Sequence, residues 1–313
     1  KIMNFIQQAY KGKNEWYHWL TTLFLVFLGW QILGVIPLVM AAAAKSKNIA
    51  EFLEFAQTNF MTAGIDKNLL LFLIIFTFFV GLLFLFIGVK YIHKRTITSL
   101  ITSRKKVDWK RFFYGFFVWG FIAIAFSYIS ILLAPENFIW NFNAKPFFIL
   151  VAISFLFIPF QTSLEELLFR GYLMQGLGVL AKNRWLPLIF TSVVFGLLHG
   201  ANPEVAKLGQ LSMVFYIGTG LFYGIVTLMD EGTELALGLH AVNNITAAFF
   251  ITTDWTVFQT DALYIDISEP SLTWEMFLPV FVLYPILLFL FSEKYGWKNW
   301  KEKLTGKIIE PVN

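Results

Sequence analysis

Glutamate, histidine and asparagine side chains recur at helical spacing in the second half of this 313-residue chain. Glu166 and Arg170 are four residues apart with the acid first, which is the order that favours an ion pair on a helix. Glu165 points about 100° away from that pair. This spacing predicts one neutralised, structural carboxylate beside a second that is free for proton chemistry. The alternative is a solvated helix end at the membrane surface.

Two further segments carry polar groups inside apolar sequence. His199 ends an apolar stretch, where a single histidine is either a packed core residue or a catalyst. His240 and Asn244 lie at i and i+4, so their side chains share one helix face and could donate to one oxyanion. A polar clamp between helices would use the same spacing. Asn243 is rotated about 100° from that face and is predicted to contact a neighbouring helix.

The composition indicates an integral membrane protein. Hydrophobic residues make up 58% of the chain and charged residues 14%, whereas a soluble domain has about 25% charged residues. The mean hydropathy is +0.66, so membrane lipid is the expected partner of the surface. A net charge of +4 does not indicate nucleic acid, because the basic residues flank apolar segments.

The hydropathy pattern predicts an all-α polytopic membrane protein with about eight transmembrane helices, since a spanning helix needs about 20 apolar residues. The candidate spans are 19–44, 69–91, 112–134, 147–168, 185–199, 208–229, 235–251 and 276–291. Polar residues interrupt the four spans between 147 and 251, and ionisable groups inside a membrane span point to function.

Two flanking segments have the apolar stripe of a short interfacial helix. The first stripe is Ile2, Phe5, Ile6 and Ala9, and the second is Ile49, Phe52, Leu53 and Ala56. The alternative for each is a segment that docks against the helix bundle.

Lysine and arginine predict the orientation. If the N-terminus is inside, the inner segments carry 19 of the 24 basic residues, and the segment 254–275 has five acids and no base. The positive-inside rule then places both termini in the cytoplasm. We expect the cytoplasmic membrane of a prokaryote.

Helix counting gives conflicting depths for the site. At about 1.5 Å per residue, Glu165 lies roughly 7 Å from Arg170 and His199 roughly 22 Å from Arg184, with both basic residues assigned inside. Either the connector 171–180 dips into the membrane, or the helix that carries Glu165 continues through it.

The three motifs together resemble the CAAX protease and bacteriocin-processing family of intramembrane glutamic endopeptidases, which includes the Ras-converting CAAX endopeptidase. The family pattern is Glu-Glu-x-x-x-Arg, then Phe-x-x-x-His, then His-x-x-x-Asn on successive transmembrane helices. The chain matches it in order at 165–170, 195–199 and 240–244.

The resemblance implies a role for each matched residue. Glu165 would activate the attacking water with help from His199, while His240 and Asn244 would stabilise the oxyanion. Glu166 and Arg170 would hold the helix. The implied activity is cleavage of a membrane-associated peptide or protein tail without a cofactor.

The resemblance covers residues 147–251, which we interpret as a catalytic four-helix core. Residues 1–146 form an N-terminal membrane region of three spans with no diagnostic motif. Residues 252–313 comprise an acidic outer loop, the last span and a basic cytoplasmic tail.

Two other functions are compatible with the sequence. Glu165, His199 and His240 could be the ligands of a zinc-dependent peptidase, because three ligands and a water form the usual catalytic zinc site. That set lacks a His-Glu-x-x-His motif and leaves Asn244 without a role. The chain could also be a non-proteolytic binding, immunity or scaffold protein of the membrane, although it lacks the matching halves typical of transporters.

Overall fold

The computed structural model describes residues 3–311, in which six helices are long and apolar enough to cross a membrane. These six spans are α1 (Trp16–Lys45), α3 (Lys67–Ile92), α5 (Trp109–Leu133), α6 (Ala144–Ala181), α9 (Gln210–Asp230) and α11 (Trp274–Tyr295). The shorter helices are α2 (Ile49–Gln57), α4 (Ile97–Ile101), α7 (Trp185–Ala201), α8 (Pro203–Leu208), α10 (Glu234–Phe249) and α12 (Trp300–Thr305). The all-α membrane architecture is therefore confirmed.

The predicted number of about eight spanning helices is wrong. All eight predicted segments are helical, but α7 has 14 α-helical residues followed by a three-residue 3₁₀ turn, and α10 has 16 residues. At about 1.5 Å per residue, each is about 25 Å long or shorter, less than the roughly 30 Å of a hydrocarbon core. Helix α10 is buried along most of its length, whereas α7 buries one face and exposes the other; both helices carry polar motifs.

The conflict over depth is resolved by α6, which continues for 38 residues. It passes through the connector as a π-helical stretch at Leu167–Leu173 and ends at Ala181. Glu165 therefore lies about 24 Å from that end, close to the roughly 22 Å that separates His199 from Arg184. The two residues are thus at similar depths.

The N-terminal segment docks against the bundle. A 3₁₀ turn spans Ile6–Lys11, and Phe5, Ile6 and Ala9 are fully buried there. The prediction that this segment is an interfacial helix is therefore wrong. Ile2, the remaining residue of the predicted stripe, lies outside the described residues. In α2, by contrast, Ile49 is 78% exposed, as expected for a helix that lies on lipid.

Segments predicted to lie inside meet at one end of the molecule around Glu231. Its carboxylate accepts hydrogen bonds from the Phe5 amide, from Arg184 at 3.0 Å and from Lys303 at 2.6 Å. Burial opposes its ionisation, but Arg184 and Lys303 hold the pKa of Glu231 below its usual value. The N-terminus, the α6–α7 connector and the C-terminal tail are therefore fixed together.

Three short strands cover the opposite end: β1 (Phe138–Trp140), β2 (Ile251–Thr252) and β3 (Tyr264–Asp266). The central strand, β3, is antiparallel to β1 and parallel to β2, with Ile139 opposite Ile265 and Ile251 opposite Tyr264. This sheet joins the end of α10 to the segment between α5 and α6.

Helices α5 and α10 approach closely because glycines face the partner backbone, as is common between membrane helices. A Cβ atom on Gly115 would lie 2.8 Å from the carbonyl oxygen of Leu235, and one on Gly238 would collide with the carbonyl group of Phe112. The site on α10 is therefore held at backbone contact distance from α5.

This contact predicts that Gly238→Ala lowers the free energy of unfolding by about 1–3 kcal/mol, the usual cost of overpacking. Thermal unfolding in detergent micelles measures the effect. The control is Gly200→Ala, whose added Cβ would meet only Met213 at 3.9–4.0 Å. Equal melting temperatures for the two variants would contradict the close packing of α5 on α10.

Candidate functional site

The two adjacent glutamates on α6 have different surroundings. The Glu166 side chain is fully buried, and its Oε1 accepts from Arg170 at 3.2 Å and pairs with Nδ1 of His240 at 2.7 Å. The Glu165 side chain is 12% exposed and faces the cavity, where the Gln161 amide donates to it at 3.4 Å. The predicted Glu166–Arg170 pair is confirmed, and Glu165 is the carboxylate that remains accessible.

Arg170 connects three helices around this pair. One end of its guanidinium donates to Glu166, while Nη2 donates to the carbonyl oxygen of Gly220 on α9 at 3.1 Å. Its plane lies over the ring of Phe195 on α7, with 4.0 Å between the guanidinium carbon and the ring centre. A cation over an aromatic face is attracted by the ring electrons, so Phe195 also stabilises the charge.

His240 lies between the two glutamates. Because an ionised carboxylate can only accept, the Nδ1 that contacts Glu166 carries a proton. Nε2 then faces Glu165, with 3.6 Å to its Oε2, which is too long for a direct hydrogen bond. The ring stacks on Tyr223 with 5.2 Å between centres. This arrangement fixes the ring and turns Nε2 towards Glu165 and the cavity.

His199 enters the same cavity from the end of α7. Its Nδ1 is 2.8 Å from the carbonyl oxygen of Phe195, so Nδ1 carries the donor proton and Nε2 is free. Its ring stacks on Tyr216, with 4.8 Å between centres and 19° between planes. The histidine is oriented but keeps one nitrogen available.

The asparagines complete the α10 face. Asn243 accepts from the indole of Trp119 on α5 at 3.0 Å, which confirms the predicted contact with a neighbouring helix. Its own amide nitrogen is 3.2 Å from Oδ1 of Asn244. Asn243 also lines the cavity beside Asn244, which the helix phase alone did not predict.

These side chains surround a cavity of about 690 Å³. Glu165, His199, His240 and Asn244 all line it, so the structure brings the four predicted residues to one space. Aromatic and aliphatic side chains form much of the remaining wall. The apolar wall residues outside the three motifs include Trp30, Leu71, Ile74, Ile75, Phe78, Leu208, Phe215, Phe258 and Met276.

Sequence reasoning missed a second carboxylate in this cavity. Glu204 is buried, and its Oε1 accepts from the hydroxyl of Tyr216 at 2.7 Å and from Asn202 at 3.0 Å. Its Oε2 accepts from the backbone amide of Val257 at 3.1 Å. The only sequence signal is a glutamate five residues after His199, which does not distinguish it from a solvated loop residue.

The charged groups that line the cavity are both acidic. They are Glu165 and Glu204, and no lysine or arginine is among the lining residues within 3–311. The donors that satisfy Glu204 are neutral: the Tyr216 hydroxyl, the Asn202 amide and the backbone amide of Val257.

The histidine geometry bears on the zinc alternative. Glu166 holds Nδ1 of His240 and the Phe195 carbonyl holds Nδ1 of His199, which leaves one nitrogen of each ring. Over the described range 3–311, no three His, Cys, Asp or Glu side chains form a group that could hold a metal ion.

Comparison with known proteins agrees with the motifs. Residues 143–246 match the family described as type II CAAX prenyl endopeptidase Rce1-like. The chain is 30% identical over 290 residues to the uncharacterized protein YyaK of Bacillus subtilis (strain 168), which covers 90% of this chain and 93% of YyaK. No solved structure gives a significant match. With its three motifs around one cavity in a bundle of membrane helices, the chain belongs to the Rce1-like CAAX endopeptidase family.

Proposed function

We propose that the protein is an intramembrane endopeptidase that cleaves a membrane-associated peptide or protein tail with water activated by Glu165. The observation that carries this proposal is the contrast between Glu165 and Glu166. Glu166 is enclosed by Arg170 and His240, whereas Glu165 faces the cavity with one weak donor. A carboxylate free of strong partners is available as a general base.

In the proposed reaction, Glu165 takes a proton from water as the water oxygen attacks the carbonyl carbon of the peptide. Nε2 of His199 orients the same water. As the C–N bond breaks, Glu165 returns the proton to the leaving amine. The products are a carboxylic acid and an amine, so one water is consumed and Glu165 is regenerated.

The negative charge that develops on the carbonyl oxygen needs donors in a dry site. Asn244 supplies an amide N–H and His240 supplies Nε2–H in its imidazolium form. Glu166 holds Nδ1 at 2.7 Å, so Nε2 is the nitrogen that faces the cavity. The buried pair therefore supports the chemistry as well as the helix packing.

The cavity also favours a particular kind of substrate. Its volume of about 690 Å³ lies within the roughly 300–1,000 Å³ of small-ligand sites, which suits a short peptide segment better than a folded domain. The apolar wall fits apolar side chains. With two carboxylates and no lysine or arginine among the described lining residues, a neutral or basic segment fits better than an acidic one.

We predict that Glu165→Gln abolishes cleavage and leaves the melting temperature near native. Glu166→Gln should lower both, because breaking a buried ion pair costs about 3–5 kcal/mol. Proteomics of membranes from cells that produce the native chain or Glu165→Gln would identify the uncleaved precursor, and peptide assays would then give rates. Exposed Glu136→Gln serves as the control. Near-native cleavage by Glu165→Gln would refute the assignment of Glu165 as the general base.

Cleavage is predicted to need no metal ion, since Asn244 and His240 already provide the oxyanion donors. The purified protein is dialysed against a chelator, analysed for bound metals and assayed on the same precursor. We expect unchanged turnover. Stoichiometric zinc whose removal stops cleavage, and whose return restores it, would establish the zinc alternative.

Asn244→Ala is predicted to lower kcat by about a hundredfold or more with little change in KM. Loss of one oxyanion donor costs about 2.7–4 kcal/mol in the transition state, and an interaction made only there changes kcat alone. Steady-state kinetics on the precursor peptide measures both constants. A rise in KM at native kcat would instead assign Asn244 to substrate binding.

A further inference from the structure

We propose that Trp119 and Asn243 are positioning residues that fix the side-chain amide of Asn244 with its NH₂ group towards the cavity. This inference rests on the proposed function, because it concerns the donor that would stabilise the oxyanion. Trp119 lies in α5, outside the stretch 143–246 that matches the family.

The first step follows from the chemistry of indole. The Nε1–H of tryptophan can only donate a hydrogen bond. Trp119 Nε1 is 3.0 Å from the Asn243 amide, so the carbonyl oxygen of Asn243 must be the atom that faces it. Asparagine oxygen and nitrogen are otherwise nearly indistinguishable in shape. A buried donor therefore settles the orientation of Asn243.

The second step transfers this orientation to Asn244. With its oxygen turned to Trp119, Asn243 presents its NH₂ group to Asn244 at 3.2 Å. An NH₂ group cannot accept from another, so Asn244 must turn its oxygen towards Asn243. Its own NH₂ group is then left to donate elsewhere, and Asn244 lines the cavity.

The direction of this amide decides what the site can stabilise. The NH₂ group of Asn244 would stabilise a developing oxyanion, whereas its carbonyl oxygen in the same place would repel it. A flip about the last side-chain bond exchanges one for the other without changing the shape of the residue. A chain of two hydrogen bonds that permits one orientation therefore preorganises the donor.

The packing of the helices keeps the indole in place. Gly120 follows Trp119 and faces Val242, where an added Cβ would lie 2.7 Å from a methyl carbon. The Trp119 ring is 7% exposed and contacts the ring of Tyr284, with 5.6 Å between centres. The close approach of α5 to α10 thus brings a donor within reach of Asn243.

The test compares variants that each remove one hydrogen-bonding group. Trp119→Phe removes the N–H, and Asn243→Asp still accepts from Trp119 but cannot donate to Asn244. Each is expected to lower kcat at least tenfold on the precursor peptide with KM and melting temperature near native. The matched control is Trp297→Phe, which is as buried and loses a bond of 3.2 Å to Asp230 at the inner end. It should keep native kcat.

A double-mutant cycle separates positioning from general packing. In the Asn244→Ala background, Trp119→Phe and Asn243→Asp should cause no further loss of kcat, because the group that they orient is absent. Equal losses in both backgrounds would overturn the proposal. Native kcat in both single variants, together with a lowered kcat in Asn244→Ala, would also overturn the proposal. The oxyanion role of Asn244 would then still stand. If Asn244→Ala itself turns over normally, the oxyanion role fails first.

Discussion

The buried pair of Glu166 and Arg170 is the interaction on which the rest of the site depends. Both side chains are fully enclosed, so neither charge is solvated by water, and each must be satisfied by the protein. Arg170 uses the carbonyl oxygen of Gly220 and the face of Phe195, and Glu166 uses His240. These contacts bind α6 to α7, α9 and α10. The same pair that fixes the four helices also orients the ring of His240 through its Nδ1.

The sequence predicted this arrangement where the interactions are local. Glu166 with Arg170, and His240 with Asn244, lie one helical turn apart, so helix geometry alone brings their side chains to one face. The divergence of Glu165 from Glu166 follows from the same geometry. That His199 lines the same cavity was expected only because three motifs matched a family pattern together.

Other features depend on packing between distant segments and could not be predicted from local patterns. The hydropathy of α7 and α10 resembles that of spanning helices, but their length is set by where the chain turns. Trp119 and Glu204 are unremarkable in sequence, since one is an aromatic in an apolar helix and the other an acid between two apolar segments. Trp119 acquires its role through Asn243 on another helix. Glu204 acquires its role through Tyr216 and Val257, which lie in other segments.

The short helix α7 has a consequence for the surrounding membrane. Several of its apolar side chains face outwards, among them Ile189, Phe190 and Leu197, yet the helix is only about 25 Å long. A bilayer that meets a hydrophobic surface shorter than its own core becomes thinner there. The bilayer beside α7 is therefore expected to be thinner than beside the six long helices. For the proposed reaction, this thinning would shorten the distance that a peptide bond near the end of a membrane anchor travels to reach Glu165, and the path of water to the cavity.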